Sequence, residues 1–115
     1  MRNISFRETQ PQFRARTKTV TRRMGWKHAK AGMLLMGVEK AQGLKKGEHV
    51  VPLGPIRIVS VRWEPLHTIT QADVIAEGFP DWTPAQFVAF FCQFNGCAPD
   101  AVVTRIEFVY MEAIQ

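Results

Sequence analysis

The sequence feature that most constrains the fold is a segment rich in β-branched residues at positions 50–66. Within it Val59, Val61 and Trp63 alternate with polar residues, whereas the isoleucines just before them occupy the opposite phase. Alternation with a period of two is the pattern of a β-strand, whose successive side chains point to opposite faces. Because this strand is apolar on both faces for part of its length, the pattern predicts a barrel wall with a helix packed outside it.

Two helices are predicted after this strand. Thr70 is followed three residues later by Asp73, a spacing that resembles a capping box, and Gly78 ends this short helix. The second helix is predicted at residues 83–95, because Thr83 is a typical N-cap and is followed directly by proline. Its phenylalanines have the i, i+3, i+4, i+7 spacing of a core-facing stripe, and they are Phe87, Phe90, Phe91 and Phe94.

The order of the remaining segments predicts the fold class. Strands are expected at residues 4–6, 33–39 and 102–110, and the glycine-flanked charged segment at 43–48 is predicted to be a turn or loop. Strands interrupted by helices without a regular βαβ alternation indicate an α+β fold. We therefore predict a single domain, residues 1–115, in which two or three helices pack on a small curled sheet.

The net charge of +5 is concentrated at one end of the chain. Residues 1–30 contain nine Lys or Arg and one acid, a net +8, whereas the other 85 residues have a net charge of −3. A charge asymmetry of this size favours an anionic partner, most commonly the phosphates of a nucleic acid. RNA or a nucleoside ligand is therefore the predicted partner. The alternative, a solvated basic face with no partner, remains open.

The composition limits the classes of protein to which the chain can belong. Hydrophobic residues make up 46% and charged residues 22%, the balance of a globular protein. No apolar run approaches the roughly 20 residues needed to span a membrane, and residues 1–7 have no apolar stretch typical of a secretory signal. Since there are only two cysteines, we expect a cytoplasmic protein with reduced thiols and no membrane association.

The densest polar cluster lies at residues 17–23. In it Lys18, Thr21 and Arg23 follow the spacing of a lysine, a threonine or glutamate at +3, and an arginine at +5. This spacing resembles the signature of the ASCH family (activating signal cointegrator homology), within the PUA-like superfamily. A second match is Glu77, which is followed by Gly-Phe and resembles the glutamate after the short helix of that family.

The resemblance implies a small curled mixed β-barrel of the PUA-like/ASCH type and an RNA-related function. The branch of the family with threonine at +3 includes small bacterial 4-acetylcytidine amidohydrolases, and the segment at 43–48 is similar to phage-related ASCH proteins. The resemblance implies that Thr21 is the nucleophile, Lys18 the base, and Glu77 the acid/base partner or the group that orients water. This chain has Arg16 where the family usually has glycine, so the backbone turn is expected to differ there.

Amide hydrolysis makes specific demands on these residue types. A threonine hydroxyl needs a base within about 3 Å, and a lysine acts as that base only if its pKa falls by several units from about 10.4. On a regular strand, residues i and i+3 point to opposite faces, so Lys18 and Thr21 meet only at a helical turn or a bulge. In the alternative interpretation, Lys18 and Arg23 are solvated cations and Thr21 is an ordinary strand residue.

Further residues are candidates for contacts with nucleic acid or another ligand. An aromatic ring such as that of Trp26 can stack on a base, and packing against the barrel is an equally open interpretation of it. The cations come from the basic motif and from the glycine-flanked turn. The predicted binding set is Arg16, Arg22, Arg23, Trp26, Lys45 and Lys46.

A metal site is not predicted. Cys92 and Cys97 lack the paired downstream ligands of a zinc site, and Cys92 falls within the phenylalanine-rich helix, where a buried thiol is expected. We therefore expect neither a metal nor a cofactor.

Three functions remain open from the sequence. The first is a hydrolase, specifically an amidohydrolase, acting on an acylated cytidine-like nucleoside, which requires Lys18, Thr21 and Glu77 to converge in one pocket. The second is a non-catalytic RNA-binding module that uses the basic N-terminal third. The third is a phage accessory protein whose cleft binds a small ligand or a host protein. A fold-level resemblance does not choose among them, because function depends on the site.

Overall fold

The computed structural model describes residues 1–112, and the last three residues of the predicted domain, 113–115, lie outside it. In chain order its elements are β1 (Arg2–Ser5), α1 (Gln10–Arg14), β2 (Val20–Arg23), β3 (Leu34–Val38), β4 (Pro52–Pro65), a 3₁₀ turn (Leu66–Thr68), α2 (Gln71–Ala76), α3 (Pro84–Asn95) and β5 (Val102–Tyr110).

The strands form one mixed sheet in the order β1-β3-β4-β5-β2. β1 and β3 are parallel, and each of the other neighbouring pairs is antiparallel. The sheet curls into a half-barrel in which β1 and β2 are the two edges. This arrangement confirms the predicted α+β fold with a small curled mixed sheet and helices packed on it.

A bulge in β4 accounts for the change of phase in the sequence. The register with β5 shifts between Ile58 and Ser60, so the apolar positions before and after the shift face opposite ways. Ile56 and Ile58 are fully buried, whereas Val59 at the bulge is exposed. The predicted strand is therefore continuous, although the two halves of it contribute different faces to the core.

The two predicted helices begin and end at the expected residues. The Thr83 hydroxyl accepts a hydrogen bond from the Gln86 backbone N–H at 3.1 Å, and the Gln86 side chain accepts one from the Thr83 N–H at 2.8 Å, a complete capping box. Gly96 ends α3 in the left-handed conformation. Likewise, the Thr70 hydroxyl caps α2 by accepting from the Asp73 N–H at 3.2 Å.

Gly78 fixes the position of the glutamate that ends α2. Its φ of +104° lies in the region that favours glycine, and a Cβ there would come within 2.7 Å of the Gln12 side chain. Because the chain turns sharply at Gly78 and packs against α1, Glu77 is held beside the segment that precedes β2.

Two groups of buried apolar residues fill the interior. The first lies between the sheet and α1 and includes Ile4, Phe6, Phe13, Leu35, Ile56 and Phe108. The second lies under α2 and α3 and includes Leu66, Ile69, Val74, Phe87, Phe91 and Val103.

The sequence analysis did not predict β2. Its four residues, Val20–Arg23, are mostly polar, yet three of them are buried. The alternation of apolar and polar residues that signals a strand is absent, because Thr21 and Arg22 are buried by hydrogen bonds and ion pairs rather than by apolar packing.

Candidate functional site

A cleft of about 450 Å³ opens between the two groups of core residues. Lys18, Thr21 and Glu77, the three predicted catalytic residues, all line it. Phe6 from the first core group and Phe87 from the second also form part of its wall. The fold therefore brings the three residues to one cavity.

Two hydrogen bonds fix the backbone of Lys18 and Thr19. The N–H of the next residue, Thr19, donates to the carbonyl of Ala76 at the end of α2, at 2.8 Å. The hydroxyl of Tyr110 donates to the Lys18 carbonyl at 2.5 Å. These bonds join the segment before β2 to α2 on one side and to β5 on the other.

Lys18 and Glu77 form a buried ion pair. The Lys18 Nζ lies 2.7 Å from the Glu77 Oε1 and also donates to the Glu77 backbone carbonyl at 2.8 Å. Each side chain is only 3% exposed. Burial lowers the pKa of Lys18, since the charged ammonium loses hydration, and the Glu77 carboxylate only partly offsets this shift.

The backbone around Lys18 lets Lys18 and Thr21 line one cleft despite their i, i+3 spacing, although no hydrogen bond joins the Lys18 Nζ to the Thr21 Oγ1. Regular pairing of β2 with β5 begins at Val20, so Lys18 lies before the strand and Thr21 within it. The rule that residues three apart point to opposite faces applies only inside a strand. Both side chains therefore line the same cleft.

Arg23 connects Thr21 to the opposite edge of the sheet. Its Nε donates to the Thr21 Oγ1 at 3.0 Å, and its Nη2 donates to the carbonyl of Ser5, in β1, at 2.5 Å. The guanidinium also lies 5.0 Å from the ring centroid of Phe6. Burial lowers the pKa of Arg23 to about 10, so it remains protonated at neutral pH.

Arg22 is buried among carboxylates. Its Nη1 lies 3.3 Å from the Glu77 Oε2, and its Nη2 lies 2.6 Å from the Asp73 Oδ2 and 2.8 Å from the Glu64 Oε1. The Arg22 side chain is 1% exposed. Its charge is thus compensated inside the protein, and it holds Glu77 from the side opposite Lys18.

The sequence analysis missed a second buried pair, Asp73 with Arg105. The Arg105 Nε and Nη2 donate to the two Asp73 oxygens at 2.6 Å and 3.1 Å. Bonds from Arg105 and Arg22 lower the pKa of Asp73 to about 2. Arg105 lies on β5 where α2 packs against it, so its guanidinium meets Asp73. The sequence did contain a signal that these carboxylates belong to one cluster. Asp73 and Glu77 have the i, i+4 spacing that places two side chains on the same side of a helix.

The structure places only some of the predicted binding residues in the cleft. Trp26 and Arg23 line the cleft, and the guanidinium of Arg2 lies 5.0 Å from the Trp26 ring centroid. Trp26 itself has a φ of +54°. Arg22 also lines the cleft, whereas the other three cations of the set, Arg16, Lys45 and Lys46, are exposed and are not among the described residues that line it.

The phenylalanine stripe of α3 is only half buried. Phe87 and Phe91 are buried as predicted, whereas Phe94 is 54% exposed and Phe90 is partly buried. All four contribute to the wall of the cleft. The stripe is therefore core at one end and cleft surface at the other, which the helical spacing alone does not distinguish.

The described residues contain no cluster of three or more His, Cys, Asp or Glu side chains able to hold a metal ion. The thiols of Cys92 and Cys97 are 3.9 Å apart and are not joined in a disulfide. Within residues 1–112, no helix combines the length and apolar character needed to cross a membrane.

No family model matches the sequence, and no curated protein matches it significantly. The chain is similar to several solved structures, including the two that follow. One is a protein of Enterococcus faecalis V583 described by the family model DUF984; it is 18% identical, with a TM-score of 0.68 over 96% of this chain and 76% of that chain. The other is an ASCH domain from Lactobacillus crispatus JV V101; it is 16% identical, with a TM-score of 0.60 over 88% of this chain and 69% of that chain. The curled half-barrel with its flanking helices is thus an ASCH-like fold.

Proposed function

We propose that this protein is an amidohydrolase that acts on an acylated cytidine-like nucleoside, free or within RNA. One observation carries the proposal. Lys18 and Glu77 are 59 residues apart in the sequence, yet they line a single cleft together with Thr21. Of the three, Lys18 and Glu77 are in direct contact and almost fully buried.

The proposed first step uses the neutral form of Lys18. The lowered pKa of Lys18 favours loss of its proton, and the neutral amine is the form able to act as a base. The amine takes the hydroxyl proton of Thr21 while the Thr21 oxygen attacks the carbonyl carbon of the acyl group. A tetrahedral intermediate results, with the negative charge on the former carbonyl oxygen.

Arg23 supports this step electrostatically. Its guanidinium already donates to the Thr21 oxygen at 3.0 Å, so its positive charge lies beside the position where the oxyanion develops. Preorganised donors of this kind usually make the largest single contribution to stabilising such a transition state.

The second half of the reaction releases both products. The carbon–nitrogen bond breaks as the Lys18 ammonium gives its proton to the exocyclic nitrogen of the base, which leaves as the free amine. The acyl group remains on Thr21 as an ester. Lys18 deprotonates a water molecule that attacks this ester, and it returns the proton to the Thr21 oxygen as the acyl–oxygen bond breaks, so the products are the unmodified nucleoside and a carboxylic acid.

Hydrolysis of 4-acetylcytidine by the purified protein tests the proposal. We expect Thr21→Ala to lower kcat by about 10³-fold or more, because the nucleophile is removed. Thr19→Ala is the matched control, since the Thr19 side chain is exposed and does not line the cleft. Equal rates for wild type and Thr21→Ala would contradict the assignment of Thr21 as nucleophile.

A second candidate is a module that binds RNA without chemistry. It is favoured by the fact that the catalytic candidates satisfy one another: Lys18 donates twice to Glu77, and Thr21 accepts from Arg23. Such bonds would also serve a purely structural network. Salt-dependent RNA binding by a protein that does not hydrolyse 4-acetylcytidine would select this candidate.

A further inference from the structure

The exposed end of α3 is the feature of the cleft that the proposed chemistry leaves unexplained. Phe94 is 54% exposed and lines the cleft, although its position in the stripe is typical of a core residue. Single exposed apolar residues are common on protein surfaces. The position of Phe94 is different because it adjoins other aromatic rings in the wall of the cleft.

A run of aromatic rings supports Phe94 from the protein interior. Its ring centroid is 5.8 Å from that of Phe90, and Phe90 packs against Phe79 at 5.6 Å and Trp82 at 5.2 Å. Phe90 and Phe79 also line the cleft. Phe94 is therefore a braced ring whose free surface faces solvent in the cleft, rather than a loose side chain.

The same cleft carries an excess of positive charge. Six cationic side chains and two carboxylates line it. Lys18 and Arg22 are paired with carboxylates inside the protein, and Lys40 lies 3.8 Å from the Glu48 carboxylate, so the cations that remain for a ligand are Arg2, Arg7 and Arg23. The Arg7–Glu8 pair, at 3.5 Å, is exposed and therefore contributes little.

An apolar ring surface beside several uncompensated cations fits a ligand that is planar and aromatic at one end and anionic at the other. We infer that Phe94, braced by Phe90, stacks on the base of a nucleotide, and that Arg7 and its basic neighbours bind the phosphate. This inference rests on the proposed nucleoside-binding role of the cleft, and it adds that the preferred ligand carries a phosphate.

Calorimetric titration with cytidine 5′-monophosphate, cytidine and ribose 5-phosphate separates the two contacts. In Phe94→Ala, we expect the affinity for both base-containing ligands to fall about tenfold or more, with ribose 5-phosphate unaffected. In Arg7→Ala, we expect weaker binding of both phosphates and unchanged binding of cytidine. Salt should weaken the phosphate ligands selectively.

Matched variants control for general effects. Trp63 is also an exposed aromatic residue, at 53%, and Arg57 is an exposed cation, yet neither lines the cleft. Trp63→Ala and Arg57→Ala should therefore bind all three ligands like the wild type. Phe94→Tyr retains the ring and should restore the affinity for cytidine 5′-monophosphate, which excludes misfolding as the cause of the loss.

The outcomes distinguish this inference from the proposed function. If the wild type binds cytidine 5′-monophosphate and Phe94→Ala binds it equally well, the stacking inference is wrong and the proposed function stands. If the wild type binds none of the three ligands, the inference is wrong, and hydrolysis of 4-acetylcytidine decides separately whether the proposed function stands. A cytidine-containing trinucleotide that binds more tightly than the mononucleotide identifies RNA as the source of the nucleotide; equal affinity identifies the free nucleotide.

Discussion

Two buried ion pairs project from the same side of α2, and they differ in what lies next to them. Glu77 pairs with Lys18 and lines the cleft, whereas Asp73 pairs with Arg105 and does not. Their shortest nitrogen–oxygen distances are nearly equal, 2.7 Å and 2.6 Å. Arg22 contacts both carboxylates and joins the two pairs.

The pKa shifts show how the pairs differ. At Lys18, loss of hydration is the largest influence, so its pKa is lowered despite the adjacent carboxylate. At Asp73, the hydrogen bond from Arg105 outweighs burial, so the pKa of the carboxyl falls to about 2 and the charges are held in place. Burial thus lowers the pKa of the base at the first pair, whereas the hydrogen bonds to Asp73 hold the second pair as charged groups. Similar geometry is therefore compatible with the proposed chemistry at the first pair and with a structural role at the second.

The largest expected effect is on catalysis at the pair in the cleft. Lys18→Met keeps the length of the side chain and removes the base, so we expect kcat for 4-acetylcytidine hydrolysis to fall by about 10³-fold. Steady-state kinetics measures this loss. Lys30→Met, at an exposed lysine outside the cleft, is the control. Retention of more than about a tenth of the activity in Lys18→Met would contradict the role of Lys18 as base.

The next effect is on stability at the second pair. Asp73→Asn leaves Arg105 without its buried carboxylate partner, so we expect the free energy of unfolding to fall by about 3 kcal/mol. Urea unfolding measures this loss, with Asp81→Asn as the exposed control. The kcat of the folded variant should stay near that of the wild type. A large loss of kcat with an unchanged free energy of unfolding would show that Asp73 serves catalysis rather than stability.

The smallest effect is the contribution of Asp73 to acid stability. Its folded pKa of about 2 lies below its ordinary value of 3.8, so the carboxylate stabilises the fold above pH 4. This stabilisation, about 2 kcal/mol, is lost as the pH falls from about 4 to about 2. The difference in unfolding free energy between wild type and Asp73→Asn should therefore shrink over this range. A difference that is independent of pH would show that Asp73 is not the titrating group.

The sequence predicted the parts of this fold that follow from local rules. The capping residues Thr70 and Thr83 and the phase change in β4 depend on spacing along the chain, and the structure contains each of them. Strand β2 was missed because Thr21 and Arg22 are buried by partners distant in sequence.

The same limit applies to the candidate site. The motif spacing and its resemblance to a known family indicated Lys18, Thr21 and Glu77, and the fold brings them to one cleft. The Asp73–Arg105 pair was not predicted and Phe94 was placed in the core, because the residues that α2 covers and the place where the cleft opens are decided by tertiary packing. Strand and helix periodicity carry no information on either.

The contact between Arg23 and the Ser5 carbonyl has a consequence for the behaviour of the half-barrel. The edges β1 and β2 are joined there by a side chain and not by a ladder of backbone bonds. Exposed strand edges recruit other chains and lead to aggregation, and a charged side chain across the gap hinders such recruitment. Arg23 thus helps to keep both open edges of the half-barrel from pairing with the strands of other molecules.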